Sequence, residues 1–169
     1  VGIMVEVPSA ALMLDRLAPH ADFFALGTND LLQYTLAADR NHVSVAHLSS
    51  PLHPAFLRLL RQVSRDAAAQ SRPLSLCGDM GSDLLCLPLL RGLQLSVLSV
   101  ASAALPLVRE AWTRIDVAQA ERSLAAACMC DSAADVRVQV IHDFAATLAP
   151  LWREQGILLD ATSALSTPP

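Results

Sequence analysis

Apolar residues along this chain fall into short runs of strand length, each followed by a stretch whose apolar positions recur at helical spacing. Residues 1–7, VGIMVEV, form a continuous apolar run broken only by Glu6, the pattern of a parallel strand buried on both faces. Pro8 and Ser9 open a helix from Ala10 to Ala18, which Pro19-His20 closes. Residues 22–27, DFFALG, make a second strand. A long helix from Pro54 to about Gln70 keeps Phe56, Leu57, Leu60 and Val63 on one face, and Pro73 to Cys77 follows as a third strand. A short helix over 83–91 leads to a fourth strand, Leu93 to Val100. Helices over 103–114, 117–127 and 132–154 fill the remainder, with Asp131-Ser132 as the cap of the last.

Strands alternating with helices imply right-handed crossovers and parallel strands. Four such units fit half of a (β/α)8 barrel or a small doubly wound sheet. Neither GxGxxG nor a Walker motif occurs, which weighs against nucleotide binding. Residues 1–155 are expected to be the folded part. The stretch 156–169, rich in Ala, Ser, Thr and Pro from Asp160 on, is expected to be a disordered tail.

Composition narrows the function classes. At 169 residues and 53% hydrophobic content, the chain has ample material for one core. No apolar stretch free of charge reaches membrane-spanning length. A net charge of −4, without a basic run, argues against nucleic acid and anionic membranes. All twelve basic residues are arginine, read with the heavy Ala and Leu usage as genomic bias. Cys77, Cys86, Cys128 and Cys130 make no disulfide framework, and Cys128-Met129-Cys130 lacks the spacing of a zinc or redox pair. Reduced thiols and a cytoplasmic location are expected. No targeting segment is visible, and the chain opens inside an apolar run without an initiator Met; a fragment of a longer protein is expected.

The chemistry-bearing residues gather where the first three strands end. The second strand delivers Gly27-Thr28-Asn29-Asp30, and Arg40 follows ten residues after Asp30, at the kind of mouth where α/β proteins bind phosphorylated ligands and metals. Glu6 ends the first strand. Neighbouring parallel strands lie roughly 5 Å apart, so Glu6 and Asp30 are placed to share a cation, and two carboxylates that leave room for water suit Mg²⁺ or Mn²⁺. Asn29 is a polar group for a phosphate or carboxylate, and Arg40 an anion clamp. The plainer alternatives are that Thr28, Asn29 or Asp30 caps the following helix, and that Glu6 pairs with an arginine such as Arg40. Cys77, followed by Gly78-Asp79-Met80 at the same mouth, is a candidate proton donor rather than a buried hydrophobe. The other cysteines are expected in the core or on helix surfaces. The five histidines fall in no ligand spacing, and His53-Pro54 is expected only to begin a helix.

GIMVEVP, DFFALGTNDLLQYTLAADR and LCGDM, at these spacings, closely resemble the C-terminal barrel of phosphoenolpyruvate–protein phosphotransferase, the first enzyme of the bacterial sugar phosphotransferase system. The likeness runs from residue 1 to about 109 and is looser beyond. GTND followed by QYTLAxDR is the specific part; pyruvate, phosphate dikinases and phosphoenolpyruvate synthases share the first element but not the second. The resemblance implies the second half of a TIM-type (β/α)8 barrel with a helical C-terminal end. It also implies Mg²⁺-dependent transfer of the phosphoryl group of phosphoenolpyruvate to an enzyme histidine, then to a histidine-containing phosphocarrier protein. By motif position Glu6 and Asp30 resemble the metal ligands, and Asn29 a phosphate contact. Arg40 resembles a substrate arginine, and Cys77 the acid that protonates the enolate. A homodimer is implied for the complete enzyme.

The sequence also departs from that family. Asp79 stands where a glutamate is usual, and Ser96-Val97 stand where the last strand usually carries an acidic pair. The family's phosphorylated histidine and several substrate arginines belong to parts absent from these residues. An open four-stranded sheet, inactive alone, is therefore expected. Two other functions compete: a pyruvate- or citrate-type lyase or a dikinase on a similar barrel, and a truncated remnant without activity.

Overall fold

The computed structural model describes residues 1–157. Four parallel strands lie in chain order in one sheet: β1 (Gly2–Val5), β2 (Phe23–Gly27), β3 (Leu74–Cys77) and β4 (Val97–Leu98). Met4 aligns with Ala25, Ala25 with Ser75, and Ser75 with Val97. The crossovers are helical. Between β1 and β2 run α1 (Pro8–Leu12) and α2 (Leu14–Leu17); between β2 and β3, α3 (Thr28–Leu36) and α4 (Pro54–Ala69). Between β3 and β4 lies α5 (Leu87–Gly92), and α6 (Leu105–Arg114), α7 (Val117–Ala127) and α8 (Ala133–Glu154) close the described chain.

Helices cover one face of the sheet only. Val5, Phe24, Leu26 and Leu76 are fully buried beneath them, and Phe56, Leu57, Leu60 and Val63 of α4 pack into the same core, as their spacing predicts. The opposite face is open: Met4 is 45% exposed, Phe23 44% and Val97 58%. This corrects the expectation that the first strand is buried on both faces. Strand side chains alternate, so Ile3 and Val5 turn to the helices while Met4 and Glu6 turn to the open side. The apolar run is continuous in sequence although a second layer is missing from one face.

Three other boundaries differ. The helix expected over Ala10–Ala18 is broken at Met13, where Leu12 and Met13 face outward, and a 3-10 turn at Ala18–His20 ends the crossover. The short helix expected from 83 begins only at Leu87, after a 3-10 turn over Asp79–Ser82. The fourth strand, expected over Leu93–Val100, has two residues. Leu93 caps α5, and Gln94 takes a left-handed conformation (φ 54°) that no strand accommodates. The ladder resumes at Ser96, whose N–H donates to the Leu74 carbonyl.

The helical end forms as its caps predict. Ser132 Oγ accepts from the Asp135 N–H, and Asp116 does the same for Gln119 at the start of α7. His53 likewise begins α4, its Nδ1 accepting from Ala55 N–H. The stretch expected to be a disordered tail lies outside the described residues except for Gly156 and Ile157. There Ile157 N–H donates to the Trp152 carbonyl at 2.8 Å. No described helix is long and apolar enough to cross a membrane.

Candidate active site

The carboxyl ends of β1, β2 and β3 bring three residues into one row. Gly27 pairs with Cys77, and Glu6 follows Val5, the partner of Leu26. Gly27 is what gives Glu6 its place. A Cβ on Gly27 would stand 2.9 Å from Glu6 Cβ and 3.1 Å from its Oε2, so the missing side chain leaves the cradle in which the carboxylate lies. Glu6 is exposed on the open face and makes no ion pair among the described residues. The strand expected to be buried on both faces thus leaves its carboxylate in solvent. Arg40 is not its partner.

Arg40 pairs instead with Asp30, its Nη2 standing 3.7 Å from Oδ1. Ala37 ends α3 with φ 51° and turns the chain back toward that helix's start. Both side chains are more than two-fifths exposed, so the pair is weakly held and free to open toward a ligand. Asp30 lies in the first turn of α3, where a carboxylate is favoured by the helix dipole.

None of Thr28, Asn29 and Asp30 is the cap of α3. Gly27 holds the cap position without a side-chain bond, and the polar side chains are used across the site. Thr28 Oγ1 donates to the Cys77 carbonyl at 3.0 Å. Asn29 and Asp79 are joined twice: Asn29 Nδ2 donates to Asp79 Oδ2 at 3.1 Å, and Asp79 N–H donates to Asn29 Oδ1 at 3.0 Å. The shorter acid at position 79 thus fixes the Asn29 carboxamide rather than reaching Cys77. Sequence reasoning left Thr28 as a cap and Asp79 as a departure; only the crossing of β2 onto β3 shows their roles.

Gly78 permits this junction. Its φ of 124° belongs to a region essentially restricted to glycine, and a Cβ there would meet Thr28 Oγ1 at 2.3 Å and Asn29 Oδ1 at 2.9 Å. Gly78→Ala is expected to cost about 2–3 kcal/mol, read as a lower urea midpoint at unchanged slope. An unchanged midpoint would show that the turn relaxes freely.

The Cys77 thiol is half-buried on the open face, its Sγ 3.4 Å from the Leu26 carbonyl and 3.7 Å from Met4 Sδ. The other thiols lie in the settings expected of them. Cys86 is buried beside Asp83, and burial first, then that carboxylate, raises its pKa well above the usual thiol value. Burial also raises Cys128, against the opposing influence of Arg61. Neither is suited to carry a proton at neutral pH.

The candidate residues therefore divide in two. Asn29, Arg40 and Asp79 line a cavity of about 190 Å³ that reaches Phe56 and Met80. Glu6 and Cys77 flank Gly27 on the open face, and Asp30 meets the cavity lining through its pair with Arg40. Among the described residues no three His, Cys, Asp or Glu side chains gather into a metal site. Glu6, exposed at the open Gly27 cradle, and Asp30, held only by an exposed ion pair, are oxygen donors of the kind Mg²⁺ takes.

Known proteins resemble this chain over the same residues. The profile of the PEP-utilising enzyme family, PEP-binding domain, matches residues 1–117. The chain is 42% identical over 140 residues to an Escherichia coli K12 protein named for the phosphoenolpyruvate-dependent phosphotransferase system, covering 83% of this chain and 19% of that protein. It is 41% identical over 136 residues to the multiphosphoryl transfer protein 1 of the same strain, covering 80% and 16%. A phosphoenolpyruvate-protein phosphotransferase of Mycoplasma capricolum is 35% identical over 144 residues, covering 85% and 25%. The chain thus spans between a sixth and a quarter of the length of these relatives. The likeness extends past the stretch on which motifs are legible.

Proposed function

Since the chain belongs to the PEP-utilising enzymes, through their PEP-binding domain, we propose that it supplies the carboxyl-end half of a site that takes the phosphoryl group from phosphoenolpyruvate. The phosphoryl group passes to an enzyme histidine and then to a histidine-containing phosphocarrier. The row Glu6–Gly27–Cys77, next to the cavity lined by Asn29 and Arg40, carries this reading.

Glu6 and Asp30 would hold Mg²⁺. That ion would supply charge neutralisation for the phosphoryl group. Arg40, released from Asp30, binds an anionic group of the substrate, and its fork suits a phosphate or carboxylate. Asn29, immobilised by Asp79, orients a phosphate oxygen at little entropic cost. Departure of the phosphoryl group leaves the enolate of pyruvate. The Cys77 thiol gives its proton to the methylene carbon, and the resulting thiolate regains a proton from water.

The same reading makes the sheet the second half of a (β/α)8 barrel, with 1–155 as its domain. Its exposed Met4, Phe23 and Val97 would meet the side chains of four further strands, which fill such interiors in layers. It carries with it a cytoplasmic enzyme acting as a homodimer.

The decisive experiment joins residues 1–157 to the Escherichia coli relative in place of the matching segment. The hybrid, given phosphoenolpyruvate, Mg²⁺ and the phosphocarrier, is expected to release pyruvate and phosphorylate the carrier. The 169-residue chain alone is expected to do neither, because among the described residues Arg40 is the arginine that lines this cavity. A folded but inert hybrid, or turnover by the isolated chain, would overturn the reading.

A further inference from the structure

A second, larger cavity, of about 520 Å³, lies at the other end of the sheet. Leu74, the first residue of β3, forms part of its wall. Cys77 is three residues further along, about 10 Å at strand rise. The cavity is thus separate from the candidate active site. The last turns of α4, the connection into β3, the end of α5 and one side of α7 line it as an open concavity.

Its charge is unlike that of the chain as a whole. Arg61, Arg65 and Arg72 line it with a single carboxylate, Glu121, leaving an excess of two positive charges in a protein of net charge −4. Glu121 is engaged by the Gln94 side-chain amide. Among the described residues none of the three arginines makes an ion pair. Of the nearby acids, Asp66 accepts from Gln62, and the exposed Asp22 faces the Arg72 charge without forming an ion pair with it. Arg72 is anchored by its Nε, which donates to the Ala18 carbonyl at 3.2 Å, leaving its terminal nitrogens available.

A solvated helix face would explain one or two such arginines, and cations near a helix C-terminus are favoured. That account does not cover the whole arrangement. Arg61 and Arg65 stand at i,i+4, where like charges repel, and Arg72 lies beyond the end of α4. All three line one concavity, Arg61 while also engaging the Cys128 thiol.

We propose that this cavity binds a small polyanionic molecule. Its phosphate or carboxylate groups would meet the three guanidinium groups, and a hydroxyl- or amide-bearing remainder would meet the Gln94–Glu121 pair. The volume suits a ligand of metabolite size.

Calorimetric titration of the 169-residue chain in metal-free buffer, with inorganic pyrophosphate and with citrate, tests this. Saturable one-to-one binding of at least one probe is expected, and the tighter probe identifies the preferred anionic group. Binding should weaken at least tenfold, about 1.4 kcal/mol, in the double variant Arg61→Gln, Arg65→Gln. It should persist in Arg40→Gln, which alters the other end of the sheet. Arg65→Gln alone, at an exposed position, serves if the double variant fails to fold, and should weaken binding measurably. Absence of saturable binding by both probes would overturn the site. So would binding that survives the α4 substitutions and is lost with Arg40.

Discussion

Replacing Cys77 with alanine in the hybrid enzyme is expected to lower pyruvate formation by about 10²–10⁴-fold, the usual contribution of a positioned general acid. The thiol is only half-buried and touches the sheet through the Leu26 carbonyl and Met4. Its removal opens no enclosed core cavity. The urea midpoint should therefore stay within about 1 kcal/mol of the parent's equivalent, and phosphoenolpyruvate should still bind. Serine should not restore turnover, because a hydroxyl is a far weaker acid than a thiol. Quenched-flow measurement of enzyme phosphorylation against pyruvate release separates loss of proton delivery from loss of phosphoryl transfer. Turnover within a few-fold of the parent, or a large fall in stability, would mark Cys77 as a packing residue.

The largest effect on stability is expected at Trp152. Its side chain is fully buried, and its indole Nε1 donates to the Leu84 carbonyl at 3.0 Å. One helical turn on, Gln155 holds the same loop from both sides, accepting from Leu84 N–H and donating to the Ser82 carbonyl. The end of α8 thereby staples the segment that follows the Asp79–Ser82 turn. Trp152→Ala leaves a cavity costing about 3–5 kcal/mol and an unpartnered buried carbonyl costing about 1–3 kcal/mol more. That is a large part of a net stability of about 5–15 kcal/mol, and at the lower end of that range the fold is lost. Trp152→Phe keeps most of the volume and loses the N–H, so about 1–3 kcal/mol is expected. Urea denaturation followed by circular dichroism checks both; a Phe midpoint equal to the parent's would show that the indole bond adds nothing, and equal midpoints for Ala and Phe that the ring's volume adds nothing. In the hybrid, the alanine variant should also loosen Asp79, and with it Asn29, through the stapled loop.

Much of this protein was settled by the order of residues along the chain. Alternating apolar runs and amphipathic stretches determined the parallel sheet, because a two-residue period and a 3.6-residue period leave distinct marks. The strand-end motifs determined the family, and placed Glu6, Gly27 and Cys77 at one level, since strand length and parallel pairing fix where successive strands stop. What the sequence left undecided depends on contacts between segments far apart in the chain. VGIMVEV reads the same whether a second layer covers its open face or not, so the exposure of Met4 and Glu6 belongs to the assembled sheet. A Thr, Asn or Asp after a strand reads as a cap until β3 arrives alongside. There Thr28 bonds the Cys77 carbonyl across 49 residues and Asn29 meets Asp79 across 50. Arg61 and Arg65 read in sequence as part of a solvated helix face, and Arg72 follows in the connection to β3. They line one concavity because α5 and α7 pack beside α4. Periodicity records which face of an element is apolar, but which polar groups meet is decided only when the elements close on one another.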